Sequence, residues 1–300
     1  MKAQKKAYFY AFAAIGCWST IGSAFKLTLR VMSPLELLFY SSFTACVVLL
    51  SILVVQGKLP LLKQVTARQL AHSALLGLLN PFLYYIVLLR GYDILPAQEA
   101  GTLNYIWPLI LVLLSIPMLK QKISLMSIFA ILTSFAGILI IASHREAAVR
   151  PGGPAQTGAL LHATGVALAV GSAFFWALYW ILNIRDRREA VSKLFLNFFF
   201  GFFYTAVVMA LAGHYRLPPW QGIGGAVYIG LFEMGITFVL WLNALKHSVT
   251  TAKVSNLIYL SPFISLVIIH FTVGETIYLS TIAGLVFLVT GIIWQQYLKH

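Results

Sequence analysis

The sequence predicts an all-α polytopic membrane protein, with ten transmembrane helices arranged as two inverted five-helix repeats. Three observations predict it. Hydrophobic residues make up 60% of the 300 and charged residues only 10%, against about 25% charged in a typical soluble domain. Mean hydropathy is +0.87, and apolar stretches of the roughly 20 residues that a spanning helix needs follow one another closely. Landmarks also recur at a constant offset, Pro108 with Pro262 and Gly137 with Gly291. A chain so poor in charge cannot cover a soluble surface, which excludes a soluble enzyme or a nucleic-acid binder.

The start, Met1 to Lys6, carries three lysines ahead of an apolar run over 8–27. Gly22-Ser23-Ala24 loosely imitates a signal cleavage site, but the run exceeds the roughly 7–15 residues of a signal peptide's apolar region, so it is read as the first span. The others are expected at about 34–55, 70–89, 96–119, 123–143, 159–182, 194–213, 222–244, 250–273 and 276–297. Breakers separate them: Ser33-Pro34, Pro60, the Lys120-Gln121-Lys122 triplet, Arg150-Pro-Gly-Gly-Pro154, Pro218-Pro219 and Gly274-Glu275. Tyr8, Tyr10, Trp220 and Tyr297 fall at span ends, where amphipathic rings sit in the membrane interface.

The net charge of +13 is explained by topology. With the amino terminus inside, the outer segments hold only Lys26, Arg30, Arg90, Arg145, Arg150 and Arg216; apart from Lys253 within a span, every other Lys and Arg falls inside. That asymmetry predicts both termini in the cytoplasm. Cys17 and Cys46 both fall within spans and match neither a metal spacing nor a disulfide framework.

Tyr105 and Tyr259 precede their prolines by three residues each, Gly77 is matched by Gly230, and Trp18 by Trp176. The halves are therefore 7–143 and 159–297, with 144–158 as linker. Five spans is an odd number, so the second half enters the bilayer upside down. Inverted repeats are the architecture of secondary transporters, with the substrate site near the midplane between the halves.

The fourth span contains Gln98-Glu99-Ala-Gly-Thr-Leu-Asn104-Tyr105-Ile-Trp107-Pro108, and the ninth Lys253-Val-Ser-Asn256-Leu-Ile-Tyr259-Leu-Ser-Pro262. Proline inside a span frees the carbonyl four residues earlier, here Asn104 and Ile258, a defect tolerated beside a neighbouring helix or a cavity. Polar and aromatic groups at such a defect suit a binding cavity; the plain alternative is a kink packed with aromatic filler. This run resembles the drug/metabolite transporter superfamily, whose ten-helix members have two EamA-type halves, and is most similar to aromatic amino acid exporters of the YddG type. The resemblance implies export of amino acids or similar metabolites across a bacterial inner membrane through a central cavity.

Substrate contact is accordingly expected from Trp18, Tyr84, Asn104, Tyr105, Trp107, Trp176, Tyr179, Asn256 and Tyr259. Tyr85, Trp180 and Trp241 are further aromatics expected to face inward, and Trp176, Tyr179 and Trp180 share one face by their spacing. Glu99 and Lys253 each stand nine residues before a proline, about 13 Å along a helix, which makes them gate candidates at opposite mouths. Glu233, central in the eighth span, is the deepest carboxylate and a candidate proton carrier; ionisable groups at that depth are functional or paired. The chain lacks a Gly-x-x-x-x-Gly-Lys-Ser/Thr phosphate loop. Its seven histidines show no His-Glu-x-x-His spacing, and within the spans none is next to an acid in the sequence, which speaks against a metalloenzyme. No metal, cofactor or nucleic acid is called for. The partners expected are membrane lipid and a small-molecule substrate, an amino acid or related metabolite, and a monomer is compatible with this reading. An intramembrane enzyme acting on lipid, a multidrug carrier of the same fold and a channel remain the alternatives.

Overall fold

The computed structural model describes residues 2–119, 125–142, 155–184, 186–213, 217–248 and 256–297. Among them every regular element is helical. In chain order these are α1 (Lys2–Thr28), α2 (Pro34–Val55), α3 (Ala67–Gly77), α4 (Tyr84–Ile94), α5 (Ala97–Asn104), α6 (Trp107–Leu119), α7 (Leu125–Ala142), α8 (Ala155–Ile184), α9 (Ala190–Leu211), α10 (Trp220–Ile229), α11 (Ile236–His247), α12 (Ser261–Val273) and α13 (Leu279–Tyr297). Among the described residues six stretches are long and apolar enough to cross a bilayer: Pro34–Val55, Ala67–Ile94, Ala97–Met118, Gly158–Asn183, Ala190–Leu211 and Trp220–Ala244. Shorter apolar helices cover Ile128–Ala142, Leu257–Val273 and Leu279–Trp294. The linker expected at 144–158 lies largely outside the described residues.

Local chemistry sets the helix starts. Ser33 and Glu36 form a reciprocal capping box ahead of α2, with Pro34 at its first turn; Thr66 and Gln69 do the same for α3. Each box satisfies two of the amide donors that a helix start leaves free. Arg90 and Asp93, 2.8 Å apart, close the last turn of α4, so the segment 90–95 is helical as far as Ile94 rather than the loop its polarity predicts. Leu59–Gln64, read as plain connection, forms a 3-10 turn.

Two spans carry a wide π-type turn. Leu78–Leu83 joins α3 to α4, with Pro81 in it and Asn80 extended at φ −148°, ψ 119°. Gly230–Gly235 joins α10 to α11 and holds Glu233. Such turns inside long helices are frequent at functional sites. Two further spans break at their prolines: Tyr105 and Ile106 form a turn between α5 and α6, and a 3-10 turn over Asn256–Leu260 leads into α12.

The helices pack across the chain in a few dominant pairings. α1 packs on α11 and α12, and α8 packs on α4, α5 and α6; α2 packs on α9, and α7 on α13. The α7–α13 seam depends on glycine, because a Cβ at Gly137 would meet the Gly284 carbonyl oxygen at 2.5 Å and the Leu288 amide nitrogen at 2.7 Å. Phe9, Leu139, Phe203 and Phe271 stand exposed on the perimeter, where acyl chains rather than water are their solvent.

Candidate functional site

The broken and widened helices surround a cavity of about 380 Å3, within the range of small-molecule sites. Its wall takes Trp18 and Phe25 from α1, Tyr84, Leu88 and Tyr92 from α4, Gln98, Thr102 and Asn104 from α5, and Trp176 and Trp180 from α8. Tyr105, Trp107, Pro108, Glu233, Trp241, Tyr259 and Pro262 complete much of the rest. Trp176 is the hub: its ring centroid lies 4.7 Å from Tyr84, 5.8 Å from Phe238 and 6.5 Å from Trp107. Trp18 meets Trp241 at 5.4 Å and the same Phe238 at 6.3 Å. Interlocked tilted and edge-to-face pairs of this kind hold ring orientation beyond their area burial.

Polar groups are few and mostly braced. Tyr84 donates to Asn104 Oδ1 at 3.1 Å, and Asn104 Nδ2 donates to Ser172 at 2.8 Å. This chain fixes the amide at the end of α5, where the helix stops before Pro108. Tyr85 donates to Glu233 Oε1 at 2.8 Å, across the two widened spans. The indole N–H of Trp180, a residue of the cavity wall, is buried and has no hydrogen-bond partner among the described residues.

The α5 end of the cavity is laced to the 274–278 segment. The Glu275 carboxylate accepts the backbone amides of Ala97 at 2.7 Å and Gln98 at 3.1 Å, and Gln98 Nε2 donates to the Thr276 carbonyl at 2.6 Å. A carboxylate on free amides at a helix start meets the positive end of the helix dipole. Lys26 donates to the carbonyls of Tyr92 and Leu95 at 2.8 and 2.6 Å.

Of the residues read from the sequence as substrate contacts, Trp18, Tyr84, Asn104, Tyr105, Trp107, Trp176 and Tyr259 line this cavity, as does Glu233. Tyr179 does not. It is fully buried with Leu76 and Leu79, because around α8 it stands about 60° from Trp176 on the side away from Trp180 and so turns towards α3. Lys253 lies outside the described residues, as does the side chain of Asn256. Glu99 is 4% exposed and sits one residue along α5 from the lining Gln98, with His162 Nε2 of α8 at 2.8 Å from its Oε1. The two residues stand 63 apart in the chain, so no local spacing marks the pair. Tyr92, Gln98 and Thr102 also line the cavity without having been named as contacts; Gln98 and Thr102, four residues apart in the Gln98–Pro108 run and so on one face of α5, carried a signal, whereas Tyr92 on α4 carried none.

The profile of the EamA-like transporter family matches residues 5–143 and again 163–295, and the chain belongs to that family: it is a multi-pass membrane transporter. It is 23% identical over 297 residues to an uncharacterized transporter of Clostridium kluyveri, covering 96% of this chain and 92% of that one. It is 25% identical over 220 residues to the uncharacterized transporter YvbV of Bacillus subtilis, covering 72% and 68%. Against an uncharacterized transporter of Archaeoglobus fulgidus the values are 21% over 278 residues, 92% and 93%. A solved crystal structure shares the fold at a TM-score of 0.66 with 19% identity, over 98% of this chain and 97% of that one.

Proposed function

We propose that the chain is a secondary transporter that exports aromatic or hydrophobic amino acids, or related small metabolites, across the bacterial inner membrane by alternating access. In this reading ten spans form two inverted repeats, 7–143 and 159–297, joined by 144–158, with both termini cytoplasmic and the monomer as working unit. The packing of α1 on α11 and α12 beside that of α8 on α4, α5 and α6, the paired wide turns at Asn80 and Glu233, and the paired breaks before Pro108 and Pro262 support it. Secondary transporters place discontinuous helices at a midplane site between repeats.

One observation carries the substrate class: the cavity wall is built of interlocked Trp and Tyr rings with few polar groups among them. Flat rings in such a wall stack on an aromatic or branched apolar side chain. The Asn104 amide suits the carboxylate of an amino acid, and the Glu233 carboxylate suits its ammonium group. Glu99 and Lys253 are gate candidates at the two mouths. With Glu233 held by Tyr85, transport follows the substrate's own gradient.

Uptake of radiolabelled amino acids into proteoliposomes of the purified protein tests the proposal. Saturable uptake that unlabelled phenylalanine or tryptophan competes away is expected. Absence of uptake for every amino acid tried sinks the substrate class, flux that never saturates indicates a channel, and turnover of a lipid substrate indicates the enzyme.

A further inference from the structure

The face of the molecule opposite the Glu275 lacing carries a second groove, formed by the start of α3 and the loop before α9 and lined by Arg68, His72, Leu75, Asp186, Arg187 and Arg188. Three arginines face one carboxylate there, and that carboxylate is already engaged. Arg188 donates from its backbone amide and its Nε to Asp186, at 3.1 and 3.0 Å, and from Nη2 to Ser73 at 2.7 Å. Lys193 clamps the same loop by donating to the carbonyls of Asn183 and Asp186 at 3.3 and 2.9 Å. The loop is therefore held in place while Arg68 and Arg187 stand exposed, without a hydrogen-bond or ion-pair partner among the described residues. Nη1 of Arg188, in the groove wall, is likewise unpartnered.

The groove is graded along the helix. Arg68, His72 and Leu75 share one stripe of α3 by their i, i+4, i+7 spacing, a rise of about 10 Å from cation to apolar side chain. Leu75 is 46% exposed, so the stripe runs from a basic rim onto an exposed apolar side chain. A soluble phosphate would use only the rim; a phospholipid uses both ends.

We propose that this groove binds the headgroup of an anionic phospholipid, its phosphate between Arg68 and Arg187 and an acyl chain along Leu75. The inner-leaflet placement rests on the topology proposed above; the contact chemistry does not. Basic pockets at the ends of membrane helices recognise such headgroups, and each cation near an anionic surface strengthens binding roughly five-fold. Because the groove joins α3 to the loop between α8 and α9, a bound lipid bridges the two matched halves of the chain.

Native mass spectrometry of the full-length protein, released from micelles carrying equal phosphatidylglycerol and phosphatidylcholine, tests this. The wild type should retain phosphatidylglycerol preferentially, and R68Q/R187Q should lower that preference roughly 30-fold, the product of two such factors. R90Q, on the opposite face, should leave it unchanged. If the double variant does not fold, the single variants R68Q and R187Q, both at exposed positions, should each lower the preference roughly five-fold. Equal retention of the two lipids, or an unaltered preference in the arginine variants, overturns the proposal. Displacement of the lipid by millimolar glycerol 1-phosphate would show a free-phosphate site and overturn the lipid assignment. Lipid retention is read without transport, so a failed uptake assay leaves this result standing.

Discussion

The hydroxyl of Tyr85 donates to Glu233 at 2.8 Å, joining the start of α4, just past the widened turn at Leu78–Leu83, to the widened turn at Gly230–Gly235. Glu233 is 8% exposed and Tyr85 fully buried, so the bond is made where water competes little. If the carboxylate is a structural and substrate-facing group rather than a proton carrier, the wild type reconstituted in liposomes should ignore an imposed pH gradient. Glu233→Gln, which keeps the shape but cannot titrate, should then still equilibrate substrate. Several-fold accumulation by the wild type under a pH gradient, lost in Glu233→Gln, would contradict the facilitative mechanism. Tyr85→Phe should destabilise the protein by about 1–3 kcal/mol, the cost of leaving a buried acceptor short of a donor.

Glu99 and His162 should behave as a unit. Each alanine substitution should lower thermal stability, and the double variant should lose less than the two together, with a coupling of about 0.5–3 kcal/mol. A thermal-shift cycle on the purified protein measures it. Strict additivity would mean the 2.8 Å contact carries no energy.

The all-helical apolar character of the chain, six of its long apolar stretches and the breaks before Pro108 and Pro262 were legible, because apolar run length and proline position are one-dimensional signals. The gathering of Trp18, Tyr84, Trp107 and Trp176 around one space followed from their being large aromatics in the middle of spans, too central for the interface. The Glu99–His162 contact was not legible, since it depends on how α5 and α8 pack and no spacing along the chain encodes that. Tyr179 was misplaced for a related reason: helical spacing says that three side chains share an arc, while the width of the cavity decides which edge of the arc faces it. The break at Asn80 had a signal in Pro81, inside an apolar run, that the pattern of apolar residues concealed. The wide turn at Glu233 had none.

At the α7–α13 seam, Gly137→Ala should be destabilising, because its methyl would fall against backbone atoms of Gly284 and Leu288 that have no rotamer to yield. Overpacking of this kind costs about 1–3 kcal/mol. An unchanged melting temperature for Gly137→Ala would mean the seam can open at little cost.

On the Arg188 face, burial works to raise the Asp186 carboxyl, but the hydrogen bonds and charge of Arg188 outweigh it and hold the group below its ordinary value of 3.8. A carboxyl depressed in the folded state stabilises that state fully above its unfolded value and loses the contribution as pH falls through the folded value. The melting temperature of the wild type should therefore exceed that of Asp186→Asn at pH 6 and converge on it as the pH is lowered below 3.8. A constant difference across that range would show that ionisation of Asp186 is not what stabilises the loop.

The central claim is that the ring-lined cavity around Trp107 and Trp176 holds the substrate side chain. It is tested most directly by comparing the initial uptake rates of tryptophan and valine in proteoliposomes of wild type and Trp107→Ala. Loss of the ring should cut tryptophan transport at least ten-fold, about 1.4 kcal/mol and of the order expected for an aromatic stacking contact, while valine transport changes little and folded protein is recovered at wild-type yield. Equal reduction for both substrates, or a uniform loss of folded protein, would mean that Trp107 fills the core and that the substrate binds elsewhere.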